Sequence, residues 1–351
     1  MFSDISSTSA IRMNGWNHTS DFCKQKISNG QMIHLLSETT NVCDQDCEYC
    51  YTVLLNLDIP HFHSKPLPGE LVLEERLELI DEASKLGAVS YDIVGAGEPL
   101  LDPYFFRQVE HAVMRGMVPV IFTNGSILGD PNNEKKALIF ANRLKDVGAT
   151  VVVKWHSSDN LLHDSIVRRK HAGLKKDIAI QRLKNLGFNK ESPTRLGVDN
   201  IIYQKTLAEI PGCLRMCRRE NIFLVCSTFI PAGRTQKGNE VAASWKDITT
   251  VFEECRKIDE SEFGIIHSSS MPYVGFGKTC TQYMGLYVNI QGYGYGCVGM
   301  SESYGNVRAR SLREMWLERA VFLQKYDGGC PPRQRFYEML VEFDESKKHF
   351  K

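Results

Sequence analysis

The sequence predicts an α/β protein built on a partial (β/α)6 barrel with a small C-terminal hairpin-plus-helix extension. Three observations lead there. Six short apolar runs recur along the first two thirds of the chain. Segments with the amphipathic period of a helix separate them, as a parallel sheet with crossover helices requires. No doubly wound dinucleotide signature accompanies the series, which favours a partial barrel over an open sheet.

The first strand is expected over 32–40, MIHLLSETT, running directly into a group of cysteines. LEERLELIDEASKLG (73–87) has helical period and a glycine stop. SYDIVGAGEP (90–99) is a strand ending in a glycine turn, and PYFFRQVEHAVMRG (103–116) a helix opened by proline and closed by glycine. VPVIFTNGS (118–126) is the third strand, with an Asn-Gly turn, followed by a helix over 134–148. ATVVVKWHS (149–157) is the fourth strand, and 175–187 the next helix. TRLGVDNIIYQ (194–204) is the fifth strand, and LAEIPGCLRMCRREN (207–221) a helix that Pro211 should kink or restart. IFLVCSTFI (222–230) is the sixth strand. The style then changes. A helix over 245–260 precedes a segment rich in glycine and tyrosine, with hairpin alternation in LYVNIQGYGYGC (286–297). A last helix begins at Ser311, with Glu314 in the capping-box position. These changes divide the chain into an N-terminal segment (1–30), a core (31–232) and the extension (233–351).

Barrel strands alternate between inside and outside. Lys154, His156, Arg195, Asp199 and Cys226 lie on strand faces too polar to pack against helices, so they are expected inside, where a ligand sits at the C-terminal strand ends.

Composition narrows the function classes. With 351 residues and 42% hydrophobic content, the chain can bury a substantial core. Lys+Arg and Asp+Glu are both 42, so the broad basic field that attracts nucleic-acid backbones is missing, and no nucleic-acid partner is expected. No signal-peptide pattern or apolar run of about 18 residues occurs, which points to a cytoplasmic chain with no membrane partner.

Eleven cysteines are many for a reducing compartment, where clusters bind metal or do chemistry more often than they form disulfides. Cys43, Cys47 and Cys50 sit in CDQDCEYC. Structural zinc and cubane iron–sulfur groups both usually take four ligands. Three thiols without a fourth nearby leave one coordination position open, unless a distant cysteine completes a zinc site.

This spacing, with Tyr49 before the last cysteine, resembles the signature of the radical S-adenosylmethionine (SAM) enzymes. The resemblance implies a [4Fe–4S] cluster on Cys43, Cys47 and Cys50, with SAM on the open iron. It also implies one-electron cleavage to a 5′-deoxyadenosyl radical that abstracts hydrogen from substrate. GAGEP, Gly95–Pro99, matches the turn that meets the SAM amino group, through carbonyls around Gly97 or through Glu98. Thr123 and Asn124 of FTNGS are placed near the cofactor, and Lys154 near the SAM carboxylate or ribose. The resemblance covers about residues 30–230.

The late cysteines follow a second resemblance. CTQYMGLYVNIQGYGYGC, from Cys280 to Cys297, is similar to the opening of the SPASM or shorter twitch extension, which carries auxiliary clusters. A second [4Fe–4S] cluster on Cys280, Cys297 and Cys330 is implied, although the usual pair of closing cysteines is replaced by Cys330 alone. Three ordinary buried thiols are the alternative. Cys213, Cys217 and Cys255 read as packing residues on helices, and Cys23 is unassigned. Cys226, expected inside, is a candidate hydrogen donor to a substrate radical, with Cys213 in reserve.

The expected reaction is hydrogen abstraction from a sugar-like or aminocyclitol small molecule, its polar groups met by Lys154, His156, Arg195 and Asp199. Hydrogen return by a thiol gives epimerisation, the favoured outcome. Loss of a proton and an electron to the auxiliary cluster gives dehydrogenation. A peptide or protein maturase and a non-catalytic iron–sulfur or zinc protein are the other readings. The short stretch before the cluster argues against a leader-binding domain. A flavodoxin or ferredoxin is the implied electron donor.

Overall fold

The computed structural model describes residues 11–52, 62–228, 232–235, 242–266, 281–298, 300 and 302–323. In chain order the elements are α1 (Ser20–Ser28), β1 (His34–Ser37), α2 (Leu73–Lys85), β2 (Ser90–Ile93), α3 (Phe105–Met114), β3 (Val118–Thr123), α4 (Glu134–Asp146), β4 (Thr150–Lys154) and α5 (Asn160–Val167). There follow α6 (Ala172–Asn185), β5 (Leu196–Ile202), α7 (Ile210–Arg219), β6 (Phe223–Thr228), α8 (Trp245–Phe263), β7 (Gly285–Val288), β8 (Tyr293–Tyr295), β9 (Ser303–Asn306) and α9 (Leu312–Leu323).

The strands form one open sheet in the order β6-β5-β4-β3-β2-β1-β7-β8-β9. The first six run in parallel, each beside its predecessor in the chain. This is the partial (β/α)6 barrel that the alternation predicts. The expected C-terminal hairpin and helix are present as β7–β9 and α9. Their link to the core was not legible: β7 pairs in parallel with β1, His34 opposite Gly285 and Ser37 opposite Val288. The capping box is also in place, with Ser311 N donating to Glu314 at 2.9 Å and Glu314 N donating to Ser311 at 3.3 Å.

Pro211 restarts its helix. A 3-10 turn over Leu207–Glu209 precedes α7, and the proline occupies the first turn, where its missing N–H costs no hydrogen bond. The sequence reading passed over α5, a short helix capped by the Asp159 side chain on Leu161 N and closed by Arg168 in the left-handed region.

The sheet separates two apolar layers. Val151, Val153, Leu196, Val198 and Leu224 pack against the helices. Leu36, Val94, Val120, Val152, Phe223 and Val225 face inward, and Met13 and Trp16 of the N-terminal segment join them. Met13 bridges to Thr194, and Gly15 lies so close to Val118 that an added Cβ would stand 2.7 Å from its Cγ1. The segment therefore closes the barrel at the N-terminal strand ends.

This layering corrects one face assignment. Cys226 belongs to the helix-side layer with Leu224, while Phe223 and Val225 turn inward. A free thiol packs as a small apolar group. The larger apolar side chains on the other face decided the strand's orientation.

Candidate active site

The buried run Glu38–Asn41 leads from β1 into the three-cysteine loop. Backbone pairing fixes that loop: Cys43 N donates to His63 O (2.9 Å), Asp46 N to Val167 O (3.1 Å) and Glu48 N to Ile166 O (3.0 Å). Arg234 Nη1 donates to the carbonyls of Asp46 and Cys47, both at 2.8 Å, and its guanidinium pairs with the Asp46 carboxylate.

All three thiols are half-buried. Polar groups converge on their sulfurs. Gln45 N lies 3.5 Å and Asn124 Nδ2 3.9 Å from Cys43 Sγ. Thr52 Oγ1 lies 3.2 Å and His63 Nε2 3.4 Å from Cys50 Sγ, while His63 Nδ1 rests 2.9 Å from Asn41 O. Burial pushes the Cys43 thiol well up, with Cys47 adding to it. Burial and the neighbouring Cys50 push Cys47 to about 12. Burial also raises Cys50, but His63 and Thr52 outweigh it and the net shift is downward. Among the described residues, no three His, Cys, Asp or Glu side chains gather around a single-ion position. Three soft sulfur donors on one loop, approached by N–H and O–H groups, suit a thiolate-held iron–sulfur cluster.

The GAGEP turn is clamped onto the start of this loop. Gly97 N donates to Thr40 O at 2.7 Å, and Glu98 N to Val42 O at 2.8 Å. A Cβ on Gly97 would stand 2.2 Å from Val42 O, so only glycine permits the approach. Glu98 does not point at an open position. It accepts from Thr123 Oγ1 and Asn124 N, both at 2.7 Å, and from Leu100 N at 3.1 Å, fastening the second and third strand-end turns together. Asn124 Nδ2 donates to Asp44 Oδ1 at 2.8 Å, tying the third turn to the cysteine loop. Gly97, Glu98, Thr123 and Asn124 are thus brought beside Cys43, with Glu98 as a positioning group.

Burial raises the Glu98 carboxyl from 4.5 to about 7, against the donors that lower it. The folded protein then holds this proton more tightly than the unfolded chain. The associated loss of stability is absent below the unfolded value, grows as pH rises from 4.5, and is complete above about 7. Glu98→Gln should remove that slope, which is on the order of 3 kcal/mol across the window. Denaturant midpoints of both proteins across this pH range check it, and parallel pH profiles would refute it.

Across the mouth, Lys154 Nζ pairs with Asp199 and lies 5.9 Å from the Tyr49 ring centre. Tyr49 Oη is 2.6 Å from His156 Nε2, and burial and His163 hold the His156 imidazole well below its usual range, hence neutral. Asp199 Oδ1 is buried without a partner. The structure thus brings Tyr49, Lys154, His156 and Asp199 together. Arg195 does not join them. It sits just before β5, where Nη1 donates to Lys145 O at 3.2 Å and Nη2 lies 3.3 Å from Glu191, at the strand end opposite the mouth. Cys226 is on the helix side and Cys213 is buried there too.

Sequence reasoning missed a buried carboxylate. Glu38 accepts from Tyr287, from Tyr51 at 3.3 Å and from Ile290 N at 2.9 Å, linking the cysteine loop to β7. A lone Glu at the end of an apolar strand was the only local signal. His63 and Arg234, which brace the loop from distant positions, left none.

Of the late cysteines, Cys297 is half-buried after β8, while Cys280 and Cys330 lie outside the described residues. Near Cys297, Arg319 is fully buried. Its Nη2 donates to Tyr283 O at 2.6 Å, its guanidinium stacks 3.9 Å from the Tyr283 ring centre, and Nε and Nη1 have no partner.

Comparison with known proteins agrees with this geometry. Residues 37–210 match the Radical SAM superfamily. The chain is 22% identical over 315 residues to the AdoMet-dependent heme synthase of Methanosarcina barkeri, covering 83% of each. It is 22% identical over 317 residues to the tungsten-containing aldehyde ferredoxin oxidoreductase cofactor-modifying protein of Pyrococcus furiosus, covering 81% of each. The crystal structure of Streptococcus suis SuiB bound to S-adenosylmethionine superposes with a TM-score of 0.59 at 13% identity, over 84% of this chain and 68% of that one, a likeness of fold. No helix among the described residues is long and apolar enough to cross a membrane. With the cysteine loop, the glycine turn and the six parallel strands all within or beside the matched span, residues 37–210 carry a radical SAM domain.

Proposed function

We propose that the protein is a radical SAM dehydrogenase of a polar, hydroxyl-bearing small molecule of the sugar or aminocyclitol type. The observation that carries this reading is the pair Lys154–Asp199 in the mouth, with Asp199 Oδ1 buried and unpartnered. When bound, the [4Fe–4S] cluster on Cys43, Cys47 and Cys50 supplies the electron that opens SAM to a hydrogen-abstracting radical. Cys47 and Tyr49 place that chemistry beside Lys154. Lys154 holds one carboxylate oxygen of Asp199, and Oδ1 takes the proton from the hydroxyl of the carbon that has lost hydrogen. Neutral His156 and Tyr49 supply further hydrogen bonds to a polar ligand.

Thiol-mediated epimerisation loses its support, because among the described residues the inward layer holds no cysteine outside the loop. Cys297, with Cys280 and Cys330, would hold a second [4Fe–4S] cluster, which when bound would supply an acceptor for the electron released on oxidation. A buried guanidinium with free N–H groups beside Gly296 suits an anionic group there. The electron donor to the first cluster is a flavodoxin or ferredoxin.

The test is anaerobic turnover of candidate polyols with SAM and reductant in deuterated water. The reading expects 5′-deoxyadenosine and a product lighter by one hydrogen pair. An isomeric product one mass unit heavier, carrying solvent deuterium on carbon, would restore epimerisation. Asp199→Asn should lower turnover by roughly 100-fold, while still forming uncoupled 5′-deoxyadenosine.

A further inference from the structure

The chain is electrically balanced as a whole, yet it carries an exposed basic run, Arg168-Arg169-Lys170, followed by exposed His171. The run begins where α5 ends. The carbonyls of Ile166 and Val167, immediately before it, accept from Glu48 N and Asp46 N on either side of Cys47. The basic run and the cysteine loop are therefore joined by two backbone hydrogen bonds. Its shape is also fixed. Arg168 and His171 both lie in the left-handed region, at φ 51° and 64°, which is costly for such residues and persists only where surroundings impose it. Asp164 imposes it, accepting from His171 N at 2.5 Å and Gly173 N at 2.7 Å.

The neighbouring charges offset only part of this excess. Arg234 and Lys205 approach the same loop from other elements, against Asp46, Glu48 and Asp164. Arg168 lies 3.9 Å from Asp46, Lys205 2.7 Å from Glu48, and Asp164 is spent on backbone N–H groups. Arg169 and Lys170 have no side-chain partner among the described residues and face water. Two uncompensated cations thus stand on a fixed backbone turn beside the loop that carries Cys47.

We propose that this run is the docking surface for an acidic one-electron carrier protein, placed so that the carrier's redox group comes to rest over the 46–48 backbone. The proposal rests on the radical SAM reading, because it needs a cluster on the loop to receive the electron. Charge complementarity selects the occupant: opposite fields speed encounter and orient it, and the effect weakens with salt. The electron passes from the carrier, which is oxidised, to the oxidised cluster, and no bond is made or broken.

The experiment uses the reconstituted full-length protein, an acidic flavodoxin in its reduced form, and dithionite as a small reductant, with cluster bleaching followed by stopped flow. Arg169→Glu/Lys170→Glu should slow reduction by flavodoxin about tenfold at low ionic strength, and the gap should close as salt is raised. Dithionite should still reduce both proteins to the same final extent, and iron content should match. Equal flavodoxin rates at every salt concentration would overturn the proposal. If the variant does not assemble a cluster, wild type alone decides: a flavodoxin rate that is independent of ionic strength overturns it, and a steep fall supports it. Absence of any cluster in wild type would instead sink the radical SAM reading itself.

Discussion

Cys47→Ala is expected to abolish 5′-deoxyadenosine formation, by at least about 1,000-fold, or over about 4 kcal/mol of activation free energy. Iron–sulfur absorbance should be lost with it while far-ultraviolet circular dichroism stays unchanged. The loop's anchors explain the separation. Its backbone is held by His63, Ile166, Val167 and Arg234 and does not depend on the Cys47 side chain. Cys47 lies between the other two thiols and is approached by Gln45 at 3.7 Å. Two thiolates are too few to retain a cubane with an open position. Cys255→Ala serves as the control, since that thiol lies in the helix-side layer. It should cost stability and leave cluster content intact. Cofactor cleavage at a wild-type rate in Cys47→Ala would remove the loop from the chemistry.

The second large effect belongs to Gly97→Ala. The added methyl would stand 2.2 Å from Val42 O and 2.7 Å from Val42 C, and both are backbone atoms that cannot swing aside. The turn must lift, breaking the bonds from Gly97 N to Thr40 O and from Glu98 N to Val42 O. SAM affinity should fall by about tenfold or more, roughly 1.4 kcal/mol, and stability by about 1–3 kcal/mol. Titration calorimetry on the reconstituted protein and thermal unfolding measure the two. Gly212→Ala is the contrast: it lies in α7 with nothing within 4 Å of its added Cβ, and should be neutral or mildly stabilising. If Gly97→Ala bound SAM as tightly as wild type, the glycine turn would not belong to the cofactor site.

Much of this architecture is written locally. Each of the six parallel strands carries its own apolar run, and the helices between them their own period and stops. The cysteine loop, the glycine turn and the Asn-Gly turn follow their strands within a few residues, so one rule about strand ends brings them together. What escaped the reading is set by distance. Nothing near His34 foretells a partner at Gly285, and nothing near Glu38 foretells Tyr287. Arg195 misled because its parity matched Asp199, although it stands at the other end of the strand. Cys226 misled because a thiol carries chemistry on paper and behaves as a small apolar group in a core.

The pairing of β7 with β1 has a mechanical consequence. The strand that delivers the chain to the metal loop is a shared rail, with the core on one flank and the C-terminal region on the other. Cutting the chain after α8 would strip that flank, leave a row of unsatisfied amides and carbonyls facing solvent, and invite self-association there. A shortened protein should therefore fail by clumping before its chemistry can be assayed.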